Sequence, residues 1–257
     1  MNLKSLQRNW QNLGRIDPLW SILTDPARQG GLWDEEQFYE TGVREVEALM
    51  SRLDELGLPS ERRRALDFGC GAGRITIPLA GHFGETVGVD IAPAMVEFAS
   101  KRNRQDNCHF LLNVRGDLSI FEDRSFDFVY SRLVLQHVPP PYVRRYIREF
   151  ARVTRPGGAI MFQLPTPSVD RAPGGGRGNR VPMPLLRLAR RCRRGLRHIA
   201  RGRSGATIDD YGLDRDETLS ILADSGAVVL EVILDHSHGT DRPGYEYWAL
   251  LPSRPRR

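Results

Sequence analysis

The sequence predicts an α/β fold built on a mostly parallel β-sheet. The middle of the chain alternates short apolar runs with amphipathic helical patterns, and a glycine-rich turn follows the first of those runs. Strands that alternate with helices form parallel sheets, because each crossover places a helix against a face of the sheet. With 257 residues, the chain is long enough for one large domain with its own core.

Residues 1–60 are predicted to form a helical N-terminal leader. Apolar residues recur at helical spacing between Val46 and Leu56, and Gly57 and Pro59 end that pattern. Three of the four tryptophans lie earlier in the leader, among other large apolar residues. A packing role against the sheet accounts for this composition.

Strands and helices alternate after the leader. We predict strands near 64–69, 85–90, 108–113, 127–133 and 158–164, with helices near 73–82, 93–103 and 141–153. A later helix near 214–225 and two further strands, 228–234 and 245–251, complete the regular structure.

The turn after the first strand reads Asp67-Phe68-Gly69-Cys70-Gly71-Ala72-Gly73. Alternate glycines let the backbone turn sharply and come close to a ligand. The spacing is neither the G-x-G-x-x-G of dinucleotide sites nor a phosphate loop, which would continue with Gly-Lys-Ser/Thr. The acidic Asp67 favours a positively charged ligand over a pyrophosphate.

This turn resembles motif I of the class I S-adenosylmethionine-dependent methyltransferases. Other landmarks of that family follow in order: Asp90 after the second strand, Gly116-Asp117, the run Val134-Leu135-Gln136-His137-Val138, and Arg155-Pro156-Gly157-Gly158. The resemblance implies a Rossmann-like, seven-stranded, mostly parallel sheet whose seventh strand is antiparallel. It also implies a methyltransferase domain over 61–257, with the leader 1–60 as a cap over the cofactor site.

The cofactor implied by the resemblance is S-adenosylmethionine, with S-adenosylhomocysteine as product. Asp67 would lie near the amino group of its methionine, and Asp90 would accept hydrogen bonds from the ribose hydroxyls. Ile91 and Leu118 would flank the adenine, and Asp117 would receive its amino group. The complete predicted cofactor set is Asp67, Gly69, Gly71, Gly73, Asp90, Ile91, Asp117, Leu118 and Ser131.

Three histidines are candidates for the chemistry. His137 follows the fourth strand and is the leading candidate for a base, with a packing role as the alternative. His236 and His238 alternate after the sixth strand, which suits a substrate clamp, an acid/base pair, two ligands of a divalent metal or a solvated polar loop. Their spacing matches no firm metal signature, so we expect no metal site.

A basic insertion at about 166–206 concentrates the positive charge. Residues 171–205 hold 11 arginines and no acid, so the rest of the chain has 26 basic residues against 32 acids, a net charge of −6. An amphipathic arginine-rich helix in this segment suits a lid over the substrate pocket, an anionic membrane surface or a solvated insertion. The acidic body and the missing RNA-binding module argue against nucleic acid.

Bulk properties agree with a cytoplasmic protein, peripheral to a membrane at most. No apolar run reaches the length of a membrane span, the N-terminus lacks the apolar core of a signal peptide, and three scattered cysteines suggest reduced thiols. The family resemblance implies a methyltransferase, and we expect it to act at oxygen on a polar small molecule such as a sugar, a glycolipid or a secondary metabolite. The alternatives are an RNA methyltransferase and a non-catalytic cofactor-binding protein that docks on a membrane or partner.

Overall fold

The computed structural model describes residues 2–167, 210–235 and 243–253. Seven strands form one sheet: β1 (Arg64–Phe68), β2 (Glu85–Asp90), β3 (Cys108–Leu112), β4 (Phe126–Ser131), β5 (Thr154–Pro165), β6 (Val228–Asp235) and β7 (Gly244–Leu250). Their order across the sheet is β3-β2-β1-β4-β5-β7-β6, and β7 runs antiparallel to both of its neighbours. The predicted fold class is confirmed, including the antiparallel seventh strand.

The helices lie close to their predicted positions, with one exception. They are α1 (Leu3–Ile16), α2 (Pro18–Ile22), α3 (Glu35–Glu55), α4 (Thr76–Leu79), α5 (Pro93–Arg102), α6 (Pro140–Val153) and α7 (Arg215–Asp224). The predicted helix 73–82 is wrong in length, since only α4 is regular. Pro78 has no N–H to donate, so the run of i to i−4 bonds between Gly73 and Ala80 is interrupted, and Gly81 follows directly after Ala80.

The central strands are buried on both faces, and consecutive residues pack on opposite sides. One face carries α6 and α7 over a cluster that includes Leu66, Val129, Ile160, Ile147, Phe150 and Leu222. The other face carries α3 over a cluster that includes Ala65, Phe128, Met161, Val46, Leu49 and Leu53. The helical leader is therefore part of the core.

The end of the leader meets the glycine-rich turn directly. The Tyr39 hydroxyl donates a hydrogen bond to the Ala72 carbonyl, at 2.7 Å. A Cβ at Gly42 would stand 2.0 Å from the Arg74 carbonyl oxygen, so the two backbones touch where these residues meet. Helix α3 thereby fixes the position of the turn between β1 and α4.

The predicted basic insertion lies largely outside the described residues, as does its arginine-rich helix. The chain is described again from Asp210, where the Tyr211 N–H donates to the Gln136 carbonyl at 2.6 Å. None of the helices in the described ranges combines the length and apolar character that a bilayer crossing needs.

Candidate functional site

A cavity opens at the carboxyl ends of β1, β2 and β4. Its empty volume, including the open mouth, is about 1000 Å³. It lies where the strand order reverses, because β1 is hydrogen-bonded to β2 on one side and to β4 on the other. Ligands of open α/β sheets bind at such a switch point, since the loops after the two strands separate there.

The glycine turn forms the floor of this cavity. Gly69 has φ +79°, and a Cβ there would lie 2.4 Å from both γ-methyl groups of Val134. Gly71 has φ +51°, and a Cβ there would lie 2.6 Å from the Ile22 side chain. Both positions need glycine because L side chains are strained at positive φ and no space is left for a Cβ. Gly69 and Gly71 line the cavity, whereas Gly73 lies outside its lining.

Asp90 stands at the end of β2 and is fixed by backbone donors. Its carboxylate oxygens accept hydrogen bonds from the Gly71 N–H at 3.0 Å and the Ala92 N–H at 2.8 Å. Burial raises the pKa of Asp90, and these backbone bonds oppose the rise. Each carboxylate oxygen has two acceptor positions, so capacity remains for a ligand that enters the cavity. Ile91 lines the same wall.

Asp67 is buried in the cavity floor, where its Oδ2 accepts a hydrogen bond from the Thr76 hydroxyl at 2.6 Å. Burial raises the pKa of Asp67 to about 7, while the Thr76 bond and the nearby Arg74 guanidinium oppose the rise. A carboxyl with this pKa gains ionised character when a cation binds beside it.

Arg74 also faces the cavity, directly after the glycine turn. Its Nη2 pairs with Glu45 of α3 at 2.8 Å, and its Nη1 donates to the Thr41 hydroxyl at 3.4 Å. The side chain is buried, and no acceptor among the described residues lies within hydrogen-bond distance of its Nε. A buried donor without an acceptor is costly, which favours an incoming anion at this place.

Several residues predicted for the site do not line the cavity. Ser131 is fully buried and donates to the Phe68 carbonyl at 3.1 Å. Leu118 is fully buried in the core. The Asp117 carboxylate accepts from the Ser119 hydroxyl at 2.7 Å, and this bond lowers its pKa. The roles of these residues toward a cofactor stay predictions.

The candidate catalytic histidines are likewise untested. The ring of His137 lies 5.2 Å from that of Trp10, whose indole lines the cavity, and its Nε2 is 3.0 Å from the Gln136 side-chain nitrogen. His137 itself is not among the residues that line the cavity. His236 and His238 lie outside the described residues.

The sequence did not single out a second group of cavity residues. They are Arg74, Asn113, Tyr130, Arg132 and Leu133 from the sheet side, and Leu6, Trp10, Ser21 and Ile22 from the leader. Position alone indicates some of them, because Asn113 and Arg132 directly follow strand ends. The leader residues have no such signal, since a tryptophan in an apolar segment is as compatible with core packing.

Comparisons with known proteins agree with this geometry. A family model described as a methyltransferase domain matches residues 66–162. Demethylmenaquinone methyltransferase of Staphylococcus saprophyticus is 37% identical over 103 residues, which are 38% of this chain and 42% of that protein. Malonyl-[acyl-carrier protein] O-methyltransferase of Halorhodospira halophila is 36% identical over 137 residues, 49% of this chain and 43% of that protein. This chain spans less than half of the length of these curated relatives.

A solved structure extends the likeness over the whole fold. Magnesium protoporphyrin IX methyltransferase from Synechocystis PCC 6803, with bound S-adenosylhomocysteine, superposes with a TM-score of 0.62. The alignment covers 97% of this chain and 99% of that one at 18% identity, which shows a shared fold only.

Proposed function

We propose that this chain is a class I S-adenosylmethionine-dependent methyltransferase that transfers the methyl group of S-adenosylmethionine to a small-molecule acceptor, as the matching methyltransferase domain and the methyltransferase relatives support. The observation that carries this proposal is the charge pattern of the cavity. Asp67 and Asp90 supply two carboxylates, and Arg74 supplies a buried guanidinium beside Asp67. This arrangement matches a ligand that has an ammonium, a carboxylate and a ribose.

The cavity residues fit the cofactor group by group. The second acceptor positions of Asp90 suit the two ribose hydroxyls. Asp67 would hold the methionine ammonium, and the guanidinium of Arg74, which lines the cavity, would attract the methionine carboxylate. Ile91 and Met95 offer apolar contacts beside Asp90 for the adenine.

The enzyme's contribution would be mainly positioning. When bound, the sulfonium would supply an activated methyl group. The acceptor oxygen would bond to this carbon opposite the carbon–sulfur bond, which breaks, and the hydroxyl would lose its proton. The walls of the cavity have to hold the acceptor oxygen close to the methyl carbon and exclude water. Leu6, Trp10 and Ile22 of the leader reach this cavity, which supports the cap role that we propose for residues 1–60.

We propose an oxygen atom as the methyl acceptor, on a polar small molecule such as a sugar, a glycolipid or a secondary metabolite. One of the curated relatives is named as an O-methyltransferase, which supports this reaction type. His137 stays our candidate for the base. Its ring packs 5.2 Å from that of Trp10, which lines the cavity.

Calorimetry with S-adenosylhomocysteine tests the cofactor assignment. The whole chain is expected to bind it with one-to-one stoichiometry. In parallel, sedimentation with anionic vesicles and with RNA separates the alternative functions. Absence of cofactor binding would refute the proposal. Co-sedimentation of the protein with RNA, together with no methyl transfer to small molecules, would favour an RNA methyltransferase. Methyl-labelled cofactor added to cell extracts then identifies the acceptor.

The pKa of Asp67 predicts a pH-dependent cofactor affinity. The carboxyl is mostly protonated below its pKa of about 7, whereas the methionine ammonium favours the ionised form. The dissociation constant of S-adenosylhomocysteine is therefore expected to rise about tenfold between pH 8 and pH 6. Calorimetry across this range measures the effect.

The Asp67→Asn variant is the control for this pH dependence, because the ligand's own amino group titrates equally in both proteins. It is expected to bind more weakly at pH 8 and to lose the part of the pH dependence that Asp67 causes. Identical pH profiles for both proteins would contradict the assignment.

The same raised pKa means that the folding stability contributed by the Asp67 carboxyl is fully present below pH 3.8, its ordinary pKa, and is lost as the pH rises through about 7.

A further inference from the structure

Arg132 lies on the β4 side of the cavity, directly after the strand ends. The strand order β2-β1-β4 places it two strands away from Asp90, which is the proposed ribose site. Its side chain is about one quarter exposed. The guanidinium therefore reaches the part of the cavity that the cofactor assignment leaves for the acceptor.

Three carboxylates surround the Arg132 guanidinium without hydrogen bonding to it. Glu246 approaches to 3.4 Å, Glu45 to 3.7 Å and Asp235 to 3.8 Å, whereas N–H···O bonds span about 2.7–3.2 Å. Within the described ranges, no acceptor forms a hydrogen bond with this guanidinium. Its planar set of donors thus stays available to a ligand, while the carboxylates keep it cationic.

Two of these carboxylates are engaged by other groups. Glu45 pairs with Arg74 at 2.8 Å and accepts the hydroxyl hydrogen of Tyr130, and Asp235 accepts a hydrogen bond from the side-chain amide of Gln163. They come from α3 and β6, and Glu246 comes from β7. The three elements together fix the guanidinium from the side away from the cavity.

The backbone beside Arg132 is held in a strained conformation. Leu133 has φ +60°, in the left-handed region that non-glycine residues rarely adopt. Its N–H donates to the buried Gln163 side-chain oxygen at 2.9 Å, which stabilises this conformation. The turn directs both Arg132 and Leu133 into the cavity lining, and strain of this kind recurs at ligand sites.

We propose that Arg132 binds a carboxylate of the methyl acceptor, and that the acceptor has an apolar body beside that carboxylate. The inference rests on the proposed function, since it assigns the second half of the same cavity. The cavity also has apolar lining, which includes Trp10, Leu133, Val134 and Val138. A guanidinium with free donors beside apolar lining suits an amphipathic organic acid better than an uncharged sugar.

The test measures small acids on the protein saturated with S-adenosylhomocysteine. Benzoate and octanoate, their neutral amides, and benzylamine are titrated by NMR. Each acid is expected to bind at least tenfold more tightly than its amide. The Arg132→Gln variant should remove this preference and Arg132→Lys should retain part of it. Arg148→Gln, which alters an exposed arginine bonded to its own helix, should change nothing.

Affinity for S-adenosylhomocysteine separates the two levels of failure. If the cofactor does not bind to the native chain, the proposed function itself fails. The second case is that S-adenosylhomocysteine binds equally to the native chain and to Arg132→Gln, while the acids bind no better than their amides or do not bind. In that case only the carboxylate assignment is wrong. Preferential binding of benzylamine would also overturn it, because the surrounding carboxylates would then determine the specificity.

Discussion

Replacing Asp90 with alanine is expected to weaken S-adenosylhomocysteine binding by about 1–3 kcal/mol, roughly 5- to 150-fold. The ribose hydroxyls would lose the carboxylate that accepts their hydrogen bonds, and the Gly71 N–H would lose its acceptor at the cavity floor. Asp90→Asn keeps the shape and one acceptor oxygen, so its loss should be smaller. Calorimetry at pH 8 measures both variants.

The control for Asp90 is Asp216→Ala, whose carboxylate is 89% exposed at the start of α7. Its cofactor affinity should match that of the native chain. An unchanged affinity in Asp90→Ala would show that the ribose is held elsewhere in the cavity.

Replacing Gly69 with alanine is expected to lower the free energy of unfolding by about 2–5 kcal/mol and to abolish measurable cofactor binding. The positive φ of +79° costs about 1–2 kcal/mol for an alanine, and insertion of a methyl group into a packed site costs about 1–3 kcal/mol. The added Cβ would lie 2.4 Å from Val134, whose β-branched side chain has little rotamer freedom. Chemical denaturation and calorimetry measure the two effects.

Gly226→Ala is a matched control, because that glycine has φ +80° and, among the described residues other than its chain neighbours, no atom lies within 4 Å of the place that an added methyl group would take. It should lose only the backbone share of the stability and keep full cofactor affinity. The pair Gly69→Ala with Val134→Ala should recover part of the packing loss. Equal destabilisation of Gly69→Ala and Gly226→Ala would contradict the proposed contact.

The positions of the strands and the cofactor half of the site were predictable from the sequence. Apolar runs bounded by polar turns locate β1, β2 and β4, and the carboxyl ends of parallel strands meet at one edge of the sheet. Four residues of the cavity lie on those ends or in the turn after them: Asp67, Gly69, Gly71 and Asp90. Their position in the cavity was therefore predictable from the local sequence. The outcome differs at β3, where Asn113 lines the cavity and Asp117 does not. The path of the loop after the strand decides which side chain points inward.

The sequence by itself therefore determined the sheet, the glycine turn and two acids of the cavity lining, Asp67 and Asp90. Only the tertiary structure decided the partners of Arg74 and Arg132. These partners are Glu45, Asp235 and Glu246. They belong to elements that are far from Arg74 and Arg132 along the chain. Such contacts depend on how α3 and the outer strands pack against the sheet, and local periodicity holds no information about distances between elements. The part of the cavity that we propose for the acceptor depends on those contacts.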